Sequence, residues 1–251
     1  MSVFSNPVLQ EATQIYLVEG KGWVAYFYFL IFLAAVQALT LFLPSLDPGG
    51  WMGAAQLFKV SCVVVLVSGV YFTLRLVNQE YVPWRFVALK RWLEQERLAQ
   101  HSLLGAQLAL LGLYGGLFIL LSLPLLSWAA AIARADLELL GVAVVVIFGY
   151  FMVYGVWGLV ALNLWELRVE TRHIAVRFLL ACLFLLTALL YLPLNSVAFL
   201  LSYLSGTDLG SPVSIFGARP APRTIHVLFH FLLLASGVGL NGWLLRRKAV
   251  S

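Results

Sequence analysis

Residues 139–165 read "LLGVAVVVIFGYFMVYGVWGLVALNLW", a stretch of 27 residues without one charged side chain. A bilayer core about 30 Å thick is crossed by roughly 20 residues of helix. The stretch exceeds that length and shows no period-2 alternation, so a barrel strand is a poor reading of it. In lipid every backbone amide must be paired within its own segment or in a closed barrel, and the segment is therefore expected to be a transmembrane helix.

Five further segments come close to that length or exceed it: about Gly22–Leu43, Ala54–Leu76, Leu103–Ala131, Ile174–Tyr191 and Ile225–Leu245. The whole chain agrees with them. Its 251 residues are 62% hydrophobic and only 11% charged, and its mean hydropathy is +0.95. Ordinary soluble domains are about half apolar and a quarter charged, so this chain has too little polar surface to cover a water-soluble globule. We expect an all-α integral membrane protein with six transmembrane helices, organised as one domain over residues 1–251 with no separate soluble catalytic unit. Residues 1–21 are polar-mixed, and the run after them is too long for the apolar core of a cleaved signal peptide.

Orientation follows from the cations. With both termini in the cytoplasm, the inner segments hold Lys21, Arg75, Arg85, Lys90, Arg91, Arg97, Arg168, Arg172, Arg177, Arg246, Arg247 and Lys248. The outer side keeps Lys59, Arg134, Arg219 and Arg223. This bias gives N-in, C-in. It also accounts for the net charge of +5 without a nucleic-acid partner.

Three shorter elements complete the layout. In residues 1–21, Val8, Leu9, Ala12, Ile15, Tyr16 and Val18 form an apolar stripe that suits a helix lying in the membrane interface. Residues 84–102, "WRFVALKRWLEQERLAQHS", carry Arg85, Lys90, Arg91, Glu94, Glu96 and Arg97 between two nearly uncharged spans. Pro83 suits the first turn of a helix there, and Glu80 lies near its positive end. Trp84, Ala88, Trp92 and Ala99 share one side, and Lys90, Glu94 and Arg97 another. A solvated surface helix and a docking element for a cytoplasmic partner both fit this pattern. Third, residues 194–205 are apolar after the break at Pro193 and Asn195, but only half a membrane long, and read as re-entrant or interfacial.

Few residues carry obvious chemistry. There is no P-loop, no HExxH and no GxSxG, so neither nucleotide phosphates nor hydrolytic chemistry finds a motif here. Cys62 and Cys182 lie in apolar runs and form no cluster. His226 and His230 stand i, i+4 on one face near the outer end of the last span. They could be presented to a metal ion or haem, but no third ligand is apparent, and His101 and His173 fall on the cytoplasmic side. Ordinary polar packing is the expected role, with metal or haem binding the alternative. Lys59, near the outer end of the second span, is expected to snorkel to the interface, and Glu166 lies at the inner end of the fourth. Gly105, Ala109, Gly112 and Gly116 clear one face of the third span for close helix packing, within the bundle or between subunits. Pro124 is expected to kink that span.

In order, these features resemble the permease subunit of a type-2 ATP-binding-cassette transporter. That family opens with a short interfacial helix, often "NPVL" followed by an acid; residues 6–11 read "NPVLQE". Two spans follow, then a cytoplasmic coupling helix preceded by a glutamate, as Glu80 precedes residues 83–99. Four more spans come next, the third of the six starting with a small residue, as in "HSLLGAQLALLGLYGG". A re-entrant helix pair often separates the last two. The family's glutamate-rich turn is reduced here to one acid in "NQEYVPW".

The resemblance implies an exporter in a bacterial cytoplasmic (inner) membrane, with no enzyme activity or cofactor in this chain. ATP and Mg would be held by separate ATPase subunits, and a second permease subunit would complete the substrate path. Coupling to the ATPase would fall to Glu80, Trp84, Arg85, Lys90, Arg91, Glu94 and Arg97. A membrane redox or haem-handling subunit, or a structural subunit of a larger complex, stands as the other reading.

Overall fold

The computed structural model describes residues 23–42, 52–76, 100–164, 169–210 and 220–250, with positions 6, 9, 10, 13 and 14 of the N-terminal segment. Seven helices run through these residues: α1 (Trp23–Phe42), α2 (Met52–Leu76), α3 (Gln100–Ile132), α4 (Leu137–Leu164), α5 (Val169–Leu190), α6 (Ser196–Ser205) and α7 (Pro222–Val250). A 3-10 turn, Leu192–Leu194, separates α5 from α6. Among the described residues there is no strand.

Five of the helices are long and apolar enough to cross a membrane: α1, α2, α3, α4 and α7. In α5 the apolar helical stretch is Arg177–Leu190. The ends of α1 to α4 lie within about three residues of those expected, whereas α5 begins five residues before Ile174 and α7 runs five residues past Leu245, both through charged sequence. Of the segment expected as an interfacial helix, five positions are described: Asn6 and Leu9 are buried, and the Gln10 amide donates to the Asn6 carbonyl at 3.0 Å. The charged helix expected at 83–99, with Glu80 before it, lies outside the described residues.

Burial separates centre from rim. In α2 and α4, 56% and 50% of the spanning window is buried inside the protein, against 28% in α1, 33% in α3 and 22% in α7. So α2 and α4 form the middle of the bundle, and the others cover them. Phe118, Phe151, Phe29 and Leu66 sit in this core. Glycines admit the closest approaches. A Cβ on Gly69 would overlap the Phe151 ring, one on Gly155 the Leu111 side chain, and one on Gly53 the Thr40 carbonyl.

The partners fix each helix's direction. Tyr26 faces Tyr114 and Gln37 faces Leu125, a constant offset of 88 residues, so α1 and α3 are parallel. Tyr150 meets His226, Tyr154 meets His230 and Trp157 meets Leu233, each 76 residues apart, so α4 and α7 are parallel too. Leu111 lies on Gly155 and Gly115 on Phe151, which makes α3 and α4 antiparallel. Since α4 and α7 run the same way, the chain between them must return to the level where α4 began. The 22 residues of α5 make that return, about 33 Å of helix. Pro193, just past its end, touches His226 near the start of α7.

The break after α5 is built by side chains. Pro193 stands in the first turn of the 3-10 segment, where no amide hydrogen is needed. Asn195 then caps α6: its Oδ1 accepts from the Ala198 amide at 2.9 Å. Its Nδ2 reaches back to the Phe184 carbonyl at 2.8 Å and Thr187 Oγ1 at 3.1 Å, tying the new helix to the old. The other end of α6 closes with Gly206 at φ 64°, where the Thr207 amide donates to Ser202 and the Gly206 amide to Tyr203. The α3–α4 turn repeats this bond pattern, Ala135 to Ala130 and Arg134 to Ala131, but places Arg134 at φ 54°.

Candidate functional site

Six buried polar side chains, Tyr150, Tyr154, Asn163, His226, His230 and Asn241, gather along one line, the seam between α4 and α7. Nearer the N-terminal ends of both helices the seam is made of rings. The helical rise puts Tyr150 and Tyr154 one turn apart on α4, and His226 and His230 one turn apart on α7. Tyr150 Oη lies 2.6 Å from His226 Nε2, and Tyr154 Oη lies 3.0 Å from His230 Nε2. His226 Nδ1 is 2.6 Å from the Pro193 carbonyl, and His230 Nδ1 is 3.0 Å from the His226 carbonyl.

A carbonyl oxygen only accepts, so each Nδ1 carries a hydrogen. In the neutral imidazole Nε2 then accepts, and each tyrosine hydroxyl donates to it. Phe199 from α6 stacks on His226 with centroids 3.9 Å apart and planes 11° apart. Phe184 from α5 leans on Tyr154 at 6.0 Å. The cluster therefore joins α4, α5, α6 and α7.

Both ring nitrogens of both histidines are engaged, which argues for packing over ligation. A metal or haem iron would have to displace a tyrosine hydroxyl to reach either Nε2 lone pair. Among the described residues no group of three His, Cys, Asp or Glu side chains is placed to hold a metal ion.

Further along, the seam is made of amides. Asn163 Nδ2 donates to Asn241 Oδ1 at 2.6 Å, and Asn241 Nδ2 donates to Gln107 Oε1 of α3 at 2.9 Å. Gln107 Nε2 is buried with no partner in hydrogen-bond range. Between rings and amides, the Trp157 indole donates to the Leu233 carbonyl at 3.1 Å, and Gly237 lets Val156 approach. A third polar contact lies elsewhere: Gln37 Nε2 donates to Ser61 Oγ and to the Leu125 carbonyl, both at 3.0 Å, next to Pro124 inside α3.

The other sequence candidates fall as follows. Gly105 and Gly116 have nothing within 4 Å of a Cβ built on them, and Gly112 has only Met152 Sδ at 3.9 Å. Ala109 is half-buried beside them. The close approaches on α3 use Gly115 instead, whose Cβ would stand 3.3 Å from Phe151. Lys59 is half-buried. Trp84, Arg85, Lys90, Arg91, Glu94 and Arg97 lie outside the described residues, as do Glu166 and the side chains of His101 and His173. Sequence reasoning missed Tyr150, Tyr154, Asn163, Asn241, Gln107 and Gln37. The usable signal was that polar side chains within spans turn inward and find partners.

No protein-family model, curated protein or solved structure matches this chain.

Proposed function

We propose that this chain is the membrane-spanning permease subunit of an ATP-driven export system of the type-2 ATP-binding-cassette kind. It crosses a bacterial cytoplasmic membrane six times, with both termini inside, and pairs with a second permease subunit. Separate cytoplasmic ATPase subunits hold ATP and Mg and close on the charged helix at 83–99. That closure tilts the spans and opens a path for substrate between permeases.

The observation that carries this reading is the broken segment between the last two long helices. A return helix, a capped break at Pro193–Asn195 and a half-length helix α6 match the layout expected of such permeases ahead of their last span. The uncovered small-residue face of α3 at Gly105 and Gly116 gives a second subunit room to approach. The saturated histidine pair favours this reading over a redox or haem-handling subunit.

Co-purification tests it. A tagged chain should carry an ATPase out of the membrane of its own host. Charge reversal at Lys90, Glu94 and Arg97 together should release that ATPase while the permease remains folded. If no ATPase accompanies the wild-type chain under any condition, the proposal fails.

A further inference from the structure

The C-terminal end of α7 has two faces of opposite character. Asn241, Leu244 and Leu245 are buried against the bundle. Trp243, Arg246 and Arg247 point away from it, and Trp243 is 53% exposed. The spacing i, i+3, i+4 puts these three side chains on one outward strip of a helix already pinned by its other side. The Arg247 guanidinium lies 5.7 Å from the Trp243 ring centroid, so ring and cation form one unit.

The spanning part of α7, Pro222–Arg247, is 26 residues long. That is about 39 Å of helix, against a hydrocarbon core of about 30 Å. At least one end of α7 must therefore stand among the headgroups, and an indole followed by two guanidiniums suits that depth. The other end of α7 differs in how its cation is used. Arg223 lies 5.9 Å from the ring of Tyr203 on α6, so its cation–π contact joins two elements of the fold. At the C-terminal end the aromatic partner belongs to α7 itself, and among the described residues no carboxylate pairs with Arg246 or Arg247. Guanidiniums match phosphate oxygens in a two-pronged geometry, and the indole supplies an apolar wall for the glycerol and upper acyl chain.

We propose that Trp243, Arg246 and Arg247 form a binding site for the headgroup of an anionic phospholipid. The inference needs only that α7 spans a membrane, and it stands whether or not the chain is a transport subunit.

Brominated lipids test it. The full chain is reconstituted in mixed phosphatidylglycerol/phosphatidylcholine vesicles, with bromine on the acyl chains of one lipid or the other. The protein has eight tryptophans, so the difference between wild type and Trp243→Phe isolates the emission of Trp243. Brominated phosphatidylglycerol should quench that emission in preference to brominated phosphatidylcholine, with an enrichment of about fivefold per guanidinium. R246Q/R247Q should bring the two lipids to equality, and R246K/R247K should keep an intermediate preference. Equal quenching in the wild type, preference surviving in R246Q/R247Q, or a Trp243 shielded from both lipids by another protein chain would each overturn the site.

Discussion

Near Tyr150 the α4–α7 seam is made of rings; near Asn163, about 20 Å further along the axis, it is made of amides. The two halves join the same pair of parallel helices, yet they are bonded differently. In the ring half the four imidazole nitrogens each have a partner, and the bonds end on backbone carbonyls of Pro193 and His226. In the amide half the bonds run only between side chains, and the line ends at an unused Gln107 Nε2. Carbonyls cannot be exchanged for something apolar, whereas amides can. The ring half is thus committed to one arrangement of the α5–α6 break, and the amide half can be re-paired at small cost.

Mutations can break that contrast, and the largest effect should come from His226→Ala. It strands the Pro193 carbonyl and the Tyr150 hydroxyl in the interior together, for a loss of about 3 kcal/mol. Thermal or SDS unfolding of the purified protein would show it. If His226→Ala unfolds like wild type, the ring half has no such commitment. Replacing both side chains, Tyr150→Phe with His226→Phe, should still cost about 2 kcal/mol, because the carbonyl of Pro193 remains unpaired. Between the halves, Gly237→Ala would set a Cβ 2.9 Å from Val156 Cγ1 and 3.2 Å from the Trp157 indole nitrogen. Overpacking there should cost about 1–2 kcal/mol by the same assay.

The amide half should answer more weakly. Asn241→Leu leaves Asn163 and Gln107 without each other's bridge and should lose about 1 kcal/mol. The triple change Gln107→Leu, Asn163→Leu, Asn241→Leu should then regain most of that loss, since no polar group is left behind. A triple variant less stable than the single one would erase the proposed difference between the halves.

Much of the fold can be read from composition alone, for a physical reason. Where lipid is the solvent, an apolar run has to pair its own backbone amides, so the runs locate the long helices, although α5 and α7 continue past them into charged sequence. Asn195 likewise announced the break before α6, since a Pro–x–Asn sequence in an apolar run disfavours helix and offers a cap. The histidine pair was legible as one face of one helix, but its partners were not. Tyr150 and Tyr154 repeat the same i, i+4 spacing 76 residues earlier, and only packing decides which of several spans stands opposite. The same holds for Asn163 and Asn241. Which small residues meet a neighbour inside the bundle was not legible: rotation about the helix axis brings Gly115 against Phe151 and leaves Gly116 clear.

The shared offset of 76 between α4 and α7 makes the helix pair a vernier scale. Residue n on α4 stands beside residue n+76 on α7 over three successive contacts, at Tyr150, Tyr154 and Trp157. Sliding one helix by a single turn, about 5.4 Å, would carry the match to n+72 or n+80. Cysteine pairs placed at those three offsets, and cross-linked in the membrane-reconstituted protein, would read any relative travel of the two helices in units of one turn.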